Sequence, residues 1–214
     1  MSLLSPLAKR IRATNFWQNV VVPAQRHKSH QHWLKSDRPV PAPHEVKVRN
    51  LMAMADLYDV HVLVETGTYH GDTISAVQDR FKKIYSIEIY EPFATRAQQK
   101  FADLKNVNVI LGDSAAKLPG LLAEISEPIL FWLDGHYSGQ GTGLGDKETP
   151  ILAEIEHIHR LRRGYKDVIL IDDARCFTGS EGYPDLASFM MHLTTLFGRR
   201  PLVANDAIFI LPEK

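Results

Sequence analysis

The chain has 214 residues, 44% of them hydrophobic and 23% charged, with a formal net charge of zero. That much apolar chain can bury one full core, so a single catalytic domain with an N-terminal extension is expected. The lone cysteine, Cys176, excludes an internal disulfide and a cysteine-based zinc centre, and fits a reducing, cytoplasmic setting. No apolar run approaches the ~18 residues of a membrane span, and the start of the sequence lacks a continuous signal-peptide core.

Charge is unevenly spread. Residues 1–36 hold Lys9, Arg10, Arg12, Arg26, Lys28 and Lys35 and no Asp or Glu, which leaves 19 basic against 25 acidic side chains in the rest of the chain. That balance gives no general attraction for nucleic acid. Leu3, Leu4, Leu7 and Ile11 fall at helical spacing beside the first three basic residues. The pattern suits either a short interfacial or targeting helix, or an arm that packs on the domain or on a second copy as a homo-oligomer contact. His27, His30 and His32 have no Cys or carboxylate interleaved and make a poor metal set. Pro39, Pro41 and Pro43 then impose an extended linker. The boundary falls there, with arm and linker over 1–43 and the domain over 44–214.

A helix is predicted over 45–58, with Val48, Leu51, Met52, Ala55 and Leu57 at its apolar positions. Strands at 61–65, 83–88, 107–111, 129–133 and 167–171 then alternate with helices at 72–80, 91–104, 114–125, 150–162 and 184–197. The strands are nearly continuous runs of Val, Ile and Leu, as expected when helices cover both faces of a sheet. The fold class is α/β, a doubly wound Rossmann-like parallel sheet. Residues 201–204 and 207–211 flank Asn205-Asp206, a two-residue hairpin turn, so the sheet finishes with an antiparallel C-terminal hairpin. Dinucleotide dehydrogenases normally lack that hairpin.

Chemistry concentrates at the strand ends. The first strand runs into Glu65-Thr66-Gly67-Thr68-Tyr69-His70-Gly71-Asp72-Thr73, and the second ends in Glu88. A strand, a glycine-bearing turn, a helix and a second strand tipped by a carboxylate is the half-fold that holds an adenosine ribose. The glycines are spaced Gly67-x-x-x-Gly71 instead of G-x-G-x-x-G, with Glu65 in front. A carboxylate there repels a diphosphate but suits a ligand with an ammonium group, such as S-adenosylmethionine (SAM). Gly67 and Gly71 let the methionine part approach the backbone, Glu65 faces its ammonium, and Thr68, Tyr69 and Thr73 add hydrogen bonds or packing. Glu88 receives the ribose hydroxyls. Asp113 accepts from the adenine amino group while Ser114 caps the next helix, although helix capping alone would also explain that pair.

Asp134 ends the fourth strand and Asp172-Asp173 end the fifth. Three carboxylates on adjacent strand tips suggest a hard divalent cation such as magnesium, which would bind an acceptor hydroxyl and lower its pKa. His136, two residues beyond Asp134, competes as general base. Residues 138–149 contain four glycines and read as a lid. Lys47 and Arg175 read as surface charges able to meet an anionic or sugar substrate. Cys176 reads as a small packing residue.

The Glu65-Thr66-Gly67 turn, Glu88, Gly112-Asp113-Ser114 and Leu133-Asp134-Gly135 together resemble the successive motifs of class I SAM-dependent methyltransferases, over roughly residues 45–211. E-T-G, L-D-G and Asp172-Asp173 resemble more narrowly the macrocin O-methyltransferase type of metal-dependent sugar O-methyltransferases, although His136-Tyr137-Ser138 stands where that subgroup carries another acid. The resemblance implies O-methylation of a hydroxylated small molecule, a sugar or glycosylated metabolite. The competing readings are an NAD-dependent oxidoreductase, since Glu88 serves either cofactor, and a non-catalytic binding module built on the same fold.

Overall fold

The computed structural model describes residues 22–135, 149–180 and 182–213. Its elements in chain order are α1 (Val22–Lys35), α2 (His44–Leu57), β1 (Val62–Thr66), α3 (Asp72–Val77), β2 (Lys83–Glu88), α4 (Glu91–Lys100), β3 (Val107–Leu111) and α5 (Ser114–Ala123). They continue with β4 (Ile129–Leu133), α6 (Ile151–Leu161), β5 (Val168–Ile171), α7 (Leu186–Phe197), β6 (Leu202–Ala204) and β7 (Ala207–Ile210). Among the described residues no helix is long and apolar enough to cross a membrane.

The strands form one seven-stranded sheet in the order β3-β2-β1-β4-β5-β7-β6. The first five are parallel, and β7 runs antiparallel to both β5 and β6. Because side chains alternate across a strand, each central strand feeds two cores. Val62, Val64, Phe131, Ile169 and Ile208 pack with α5, α6 and α7 on one face. Leu63, Leu130, Trp132, Leu170 and Phe209 pack with α2, α3 and α4 on the other. This double burial is why β1, β4, β5 and β7 are buried at every position, whereas the edge strand β6 is exposed at all three. Asn205 and Asp206 both have positive φ, 52° and 63°, as a type I′ turn requires.

Three elements differ from expectation. The helix predicted over 72–80 stops at Val77, because the Asn106 amide donates to the carbonyls of Gln78 (2.9 Å) and Phe81 (3.0 Å) and holds that segment as a turn. The helix predicted over 91–104 stops at Lys100, with Phe101 buried against the glycine at 71. A helix not anticipated, α1, precedes the linker. Its Trp33 donates its indole hydrogen to the Pro39 carbonyl at 2.8 Å and packs with Ala42 and Val46, so the proline-rich segment is folded back onto α2. On α2 itself Val46, Leu51 and Ala55 are buried, while Leu57 faces solvent. Residues 1–21, with the amphipathic pattern at 3–11, lie outside the described residues.

Candidate active site

The parallel strands bring their C-terminal ends to one edge, where loops diverge and leave backbone and side chains open to a ligand. The β1–α3 turn sits at its centre. Gly67 has φ 86° and donates to the Ile87 carbonyl at 2.9 Å. A Cβ at this position would overlap the Asp134 backbone, so the first glycine lets β1 and β4 close together at their tips. Gly71, φ 67°, precedes α3 in the left-handed region, and a Cβ there would meet the Phe101 ring.

Beneath this turn lies a buried polar chain. Ser86 donates to Glu65 Oε2 at 2.5 Å and its oxygen lies 2.5 Å from Thr68 Oγ1. The single Ser86 hydroxyl hydrogen goes to Glu65, so Thr68 donates to Ser86. Burial pushes the Glu65 carboxyl up to about 8, against the lowering effect of the Ser86 hydroxyl; Asp134 adds to the rise, and Thr73 opposes it. The sign of the consequence follows from linkage. A carboxyl whose folded pKa lies above its ordinary 4.5 favours the fold fully at low pH, and that contribution disappears as pH climbs from there through about 8. Melting temperatures of wild type and Glu65→Gln between pH 5 and 8.5 are therefore expected to diverge in favour of the variant as pH rises, by the equivalent of a few kcal/mol at most. A gap that does not change with pH would refute the assignment.

Glu88, 6% exposed, accepts one backbone N–H on each oxygen, Tyr69 on Oε2 and Tyr90 on Oε1, both at 2.8 Å. The carboxylate is fixed in orientation while each oxygen retains lone-pair capacity. Tyr69, in the left-handed region at φ 49°, packs against His70 and Phe93 at centroid distances of 3.9 and 4.8 Å, and Tyr90 meets Phe93 edge-on at 5.1 Å. An aromatic rim thus borders the β2 tip. Across from it, Asp113 Oδ1 accepts from the Ala115 N–H at 2.9 Å and caps α5. Ser114 is buried and donates to Glu154 Oε1 at 2.5 Å.

Glu154 on α6 was missing from the sequence reading. It is 1% exposed, and burial pushes its carboxyl up to about 7, with Asp113 and Asp134 adding to the rise. With Leu133, Asp134, Gly135, Thr149, Asp172 and Tyr183 it lines a small cavity under the β4 tip. A signal was there: Ile151, Glu154, Ile155 and Ile158 follow the i, i+3, i+4, i+7 spacing of a buried helical stripe, and one of the four is charged.

The three aspartates meet as expected. One oxygen from each of Asp134, Asp172 and Asp173 lies within 4.8 Å of the others. Asp134 N–H bonds the Thr66 carbonyl at 3.1 Å and Asp172 N–H the Leu133 carbonyl at 3.0 Å, which ties the β1, β4 and β5 tips together. What surrounds them differs from expectation. Lys47 is largely buried; its Nζ donates to Asp172 Oδ2 and, at 3.1 Å, to Asp173 Oδ1. Arg175 grips Asp173 with two bonds, 2.7 Å to Oδ1 and 3.0 Å to Oδ2, and also bonds Asp206. Burial opposes the charged form of Lys47, yet the carboxylates of Asp172, Asp134 and Asp173 overcome it and raise its pKa. Burial raises the Asp172 carboxyl, with Asp134 and Asp173 adding to the rise, while Lys47, the cation of the pair, opposes it.

This bears directly on the expected divalent cation. The oxygen donors suit magnesium in kind, and Asp172 Oδ1 is buried with no hydrogen-bond partner. However, both Asp173 oxygens are engaged by Arg175, and the Lys47 ammonium occupies the contact between Asp172 and Asp173. The residues as arranged do not fit a resident metal ion. His136 and residues 138–148 of the expected lid lie outside the described residues. Cys176, half-buried in the turn after Asp173, remains a free thiol.

No protein-family model matches the sequence, and comparison with curated proteins gives no match. Solved structures do resemble it. The O-methyltransferase TomG from Streptomyces achromogenes, in complex with SAM, superposes at TM-score 0.58 with 17% identity, covering 88% of this chain and 89% of that one. The O-methyltransferase from Bacillus cereus, in complex with SAH, gives 0.59 and 15%, covering 92% and 96%. A putative caffeoyl-CoA O-methyltransferase from Staphylococcus aureus gives 0.58 and 12%, covering 91% and 98%. Five parallel strands in the order 3-2-1-4-5, closed by an antiparallel hairpin that inserts β7 beside β5, give the chain the fold of the class I SAM-dependent methyltransferases.

Proposed function

We propose that this protein is a cytoplasmic SAM-dependent O-methyltransferase acting on a hydroxylated small molecule such as a sugar or glycosylated metabolite. The observation that carries the reading is the Glu88 carboxylate, held by two backbone amides at the β2 tip with capacity left for a ribose diol. Glu65, at the adjacent tip, is the carboxyl that meets the ammonium of the methionine part, whose positive charge would favour the ionised form that burial opposes, and Asp113 is the acceptor for the adenine amino group. The structural resemblance to O-methyltransferases solved with SAM or SAH supports the same assignment.

In the reaction the acceptor oxygen bonds to the methyl carbon as the carbon–sulfur bond breaks, leaving S-adenosylhomocysteine. The hydroxyl proton passes to Asp134, which stands at the β4 tip between the Glu65 and Asp172 loops. Catalysis of such a displacement is mostly alignment of three atoms in line.

Calorimetric titration with SAM, S-adenosylhomocysteine and NAD tests the reading. SAM and S-adenosylhomocysteine are expected to bind with micromolar affinity and NAD to give no heat. Tight NAD binding without a response to SAM would replace it with the oxidoreductase reading.

A further inference from the structure

We infer that Lys47 takes the place of a divalent cation in the Asp134–Asp172–Asp173 cluster, so that the acceptor side of the site is organised by an ammonium group of the chain itself. For its catalytic meaning the inference rests on the methyltransferase reading; the exclusion of a metal ion rests on the geometry alone.

Three carboxylates gathered at one edge repel one another unless positive charge lies among them. The chain supplies that charge from two directions. Lys47 comes from α2, 125 residues from Asp172 in sequence, and its Nζ donates to Asp172 and to Asp173. Its side chain is 19% exposed, against 1% and 5% for the two aspartates, so the contact is shielded from water and from salt. Arg175 reaches Asp173 from the other side and donates to both of its oxygens. Between these two aspartates, Asp172 Oδ1 is the oxygen that is buried and without a hydrogen-bond partner. An ion within the ~2 Å that magnesium requires of that oxygen would stand beside the Lys47 ammonium on the sister oxygen, cation against cation. Lys47 would have to leave first, breaking two charge-assisted hydrogen bonds and stranding its own charge.

With Lys47 in place the orientation of Asp172 and Asp173 is fixed without a metal ion. Lys47 is then a positioning residue: it orients Asp172 and Asp173 and acts on the substrate through them. A purely architectural lysine, one that only pins α2 to the sheet, would leave the cation affinity of the cluster unchanged when replaced.

The test is direct binding of Mn2+ to the full chain, read by the loss of the free-ion electron paramagnetic resonance signal. Wild type is expected to take up no Mn2+ at sub-millimolar concentrations. Lys47→Met, which keeps the unbranched apolar stem and removes the ammonium, is expected to gain one site at least tenfold tighter. Lys47→Gln gives the same comparison should the methionine variant be unstable. Methyl transfer by wild type should survive EDTA, whereas the residual activity of Lys47→Met should depend on added metal. Micromolar Mn2+ binding by wild type overturns the inference. So does the absence of binding in wild type and variants alike, since the cluster would then have no cation affinity for Lys47 to mask. SAM titration of the same samples separates the two levels. Loss of SAM binding in wild type would remove the methyltransferase reading, while the Mn2+ comparison would still decide the role of Lys47.

Discussion

Replacing Glu88 by alanine is expected to weaken SAM binding by roughly 10²–10⁴-fold, because two hydrogen bonds from ribose hydroxyls to a charged acceptor are each worth about 1.5–3 kcal/mol. The fold should persist. Glu88 closes a strand at the sheet edge, and its neighbours in the core, Ile84 and Ile87, do not depend on its carboxylate. The variant does release the amides of Tyr69 and Tyr90, which the carboxylate now accepts. Some of the loss will therefore come from a loosened β1–α3 turn. Glu88→Gln separates the two contributions: it keeps an acceptor oxygen and most of the shape while removing the charge, and should fall between wild type and alanine. An alanine variant with wild-type affinity by calorimetry would place the ribose elsewhere.

The largest effect on stability is expected from Gly67→Ala. Two costs coincide there. An L side chain at φ 86° is held in the left-handed region, at ~1–2 kcal/mol. Its Cβ would also press on the Asp134 backbone, which belongs to the paired tip of β4 and has little freedom to retreat. Together these amount to roughly 2–5 kcal/mol, or a fall in Tm of roughly 4–20 °C for a chain of this size. Gly164→Ala provides the control. Gly164 has the same φ of 86° but nothing within 4 Å of an added Cβ, so it measures the conformational cost alone. Equal losses at the two positions would mean that the β1 and β4 tips do not pack as closely as described.

Strand tips were legible in the sequence because they are local: an apolar run ends, and the next polar residue lies at the sheet edge. Glu65, Glu88, Asp113, Asp134 and the Asp172-Asp173 pair were all located this way, and the structure brings them to one edge. The residues that answer them were not legible. Lys47 stands on a helix whose polar positions all look alike in sequence, and its meeting with Asp172 depends on how α2 crosses the sheet. Ser86 lies inside a buried strand, where a serine reads as filler until Glu65 is seen opposite it. Helix ends were misjudged for the same reason. The carbonyls of Gln78 and Phe81 are met by an asparagine 25 to 28 residues away, a partner that local propensity does not contain.

The position of β7 has a consequence for how the protein is made. Among the described strands it is the last in sequence, yet it lies inside the sheet, between β5 and β6. The turn that leads into it carries Asp206, whose carbonyl receives the Ala174 N–H at 2.8 Å and whose carboxylate takes the Arg175 N–H at 3.0 Å. The segment that presents Asp172 and Asp173 is thus clamped by residues translated some thirty positions later. Until the hairpin emerges, a nascent chain exposes β5 as an open edge and leaves that segment unclamped. A chain cut short within the hairpin therefore loses the clamp on its aspartates together with the strand that pairs with β5.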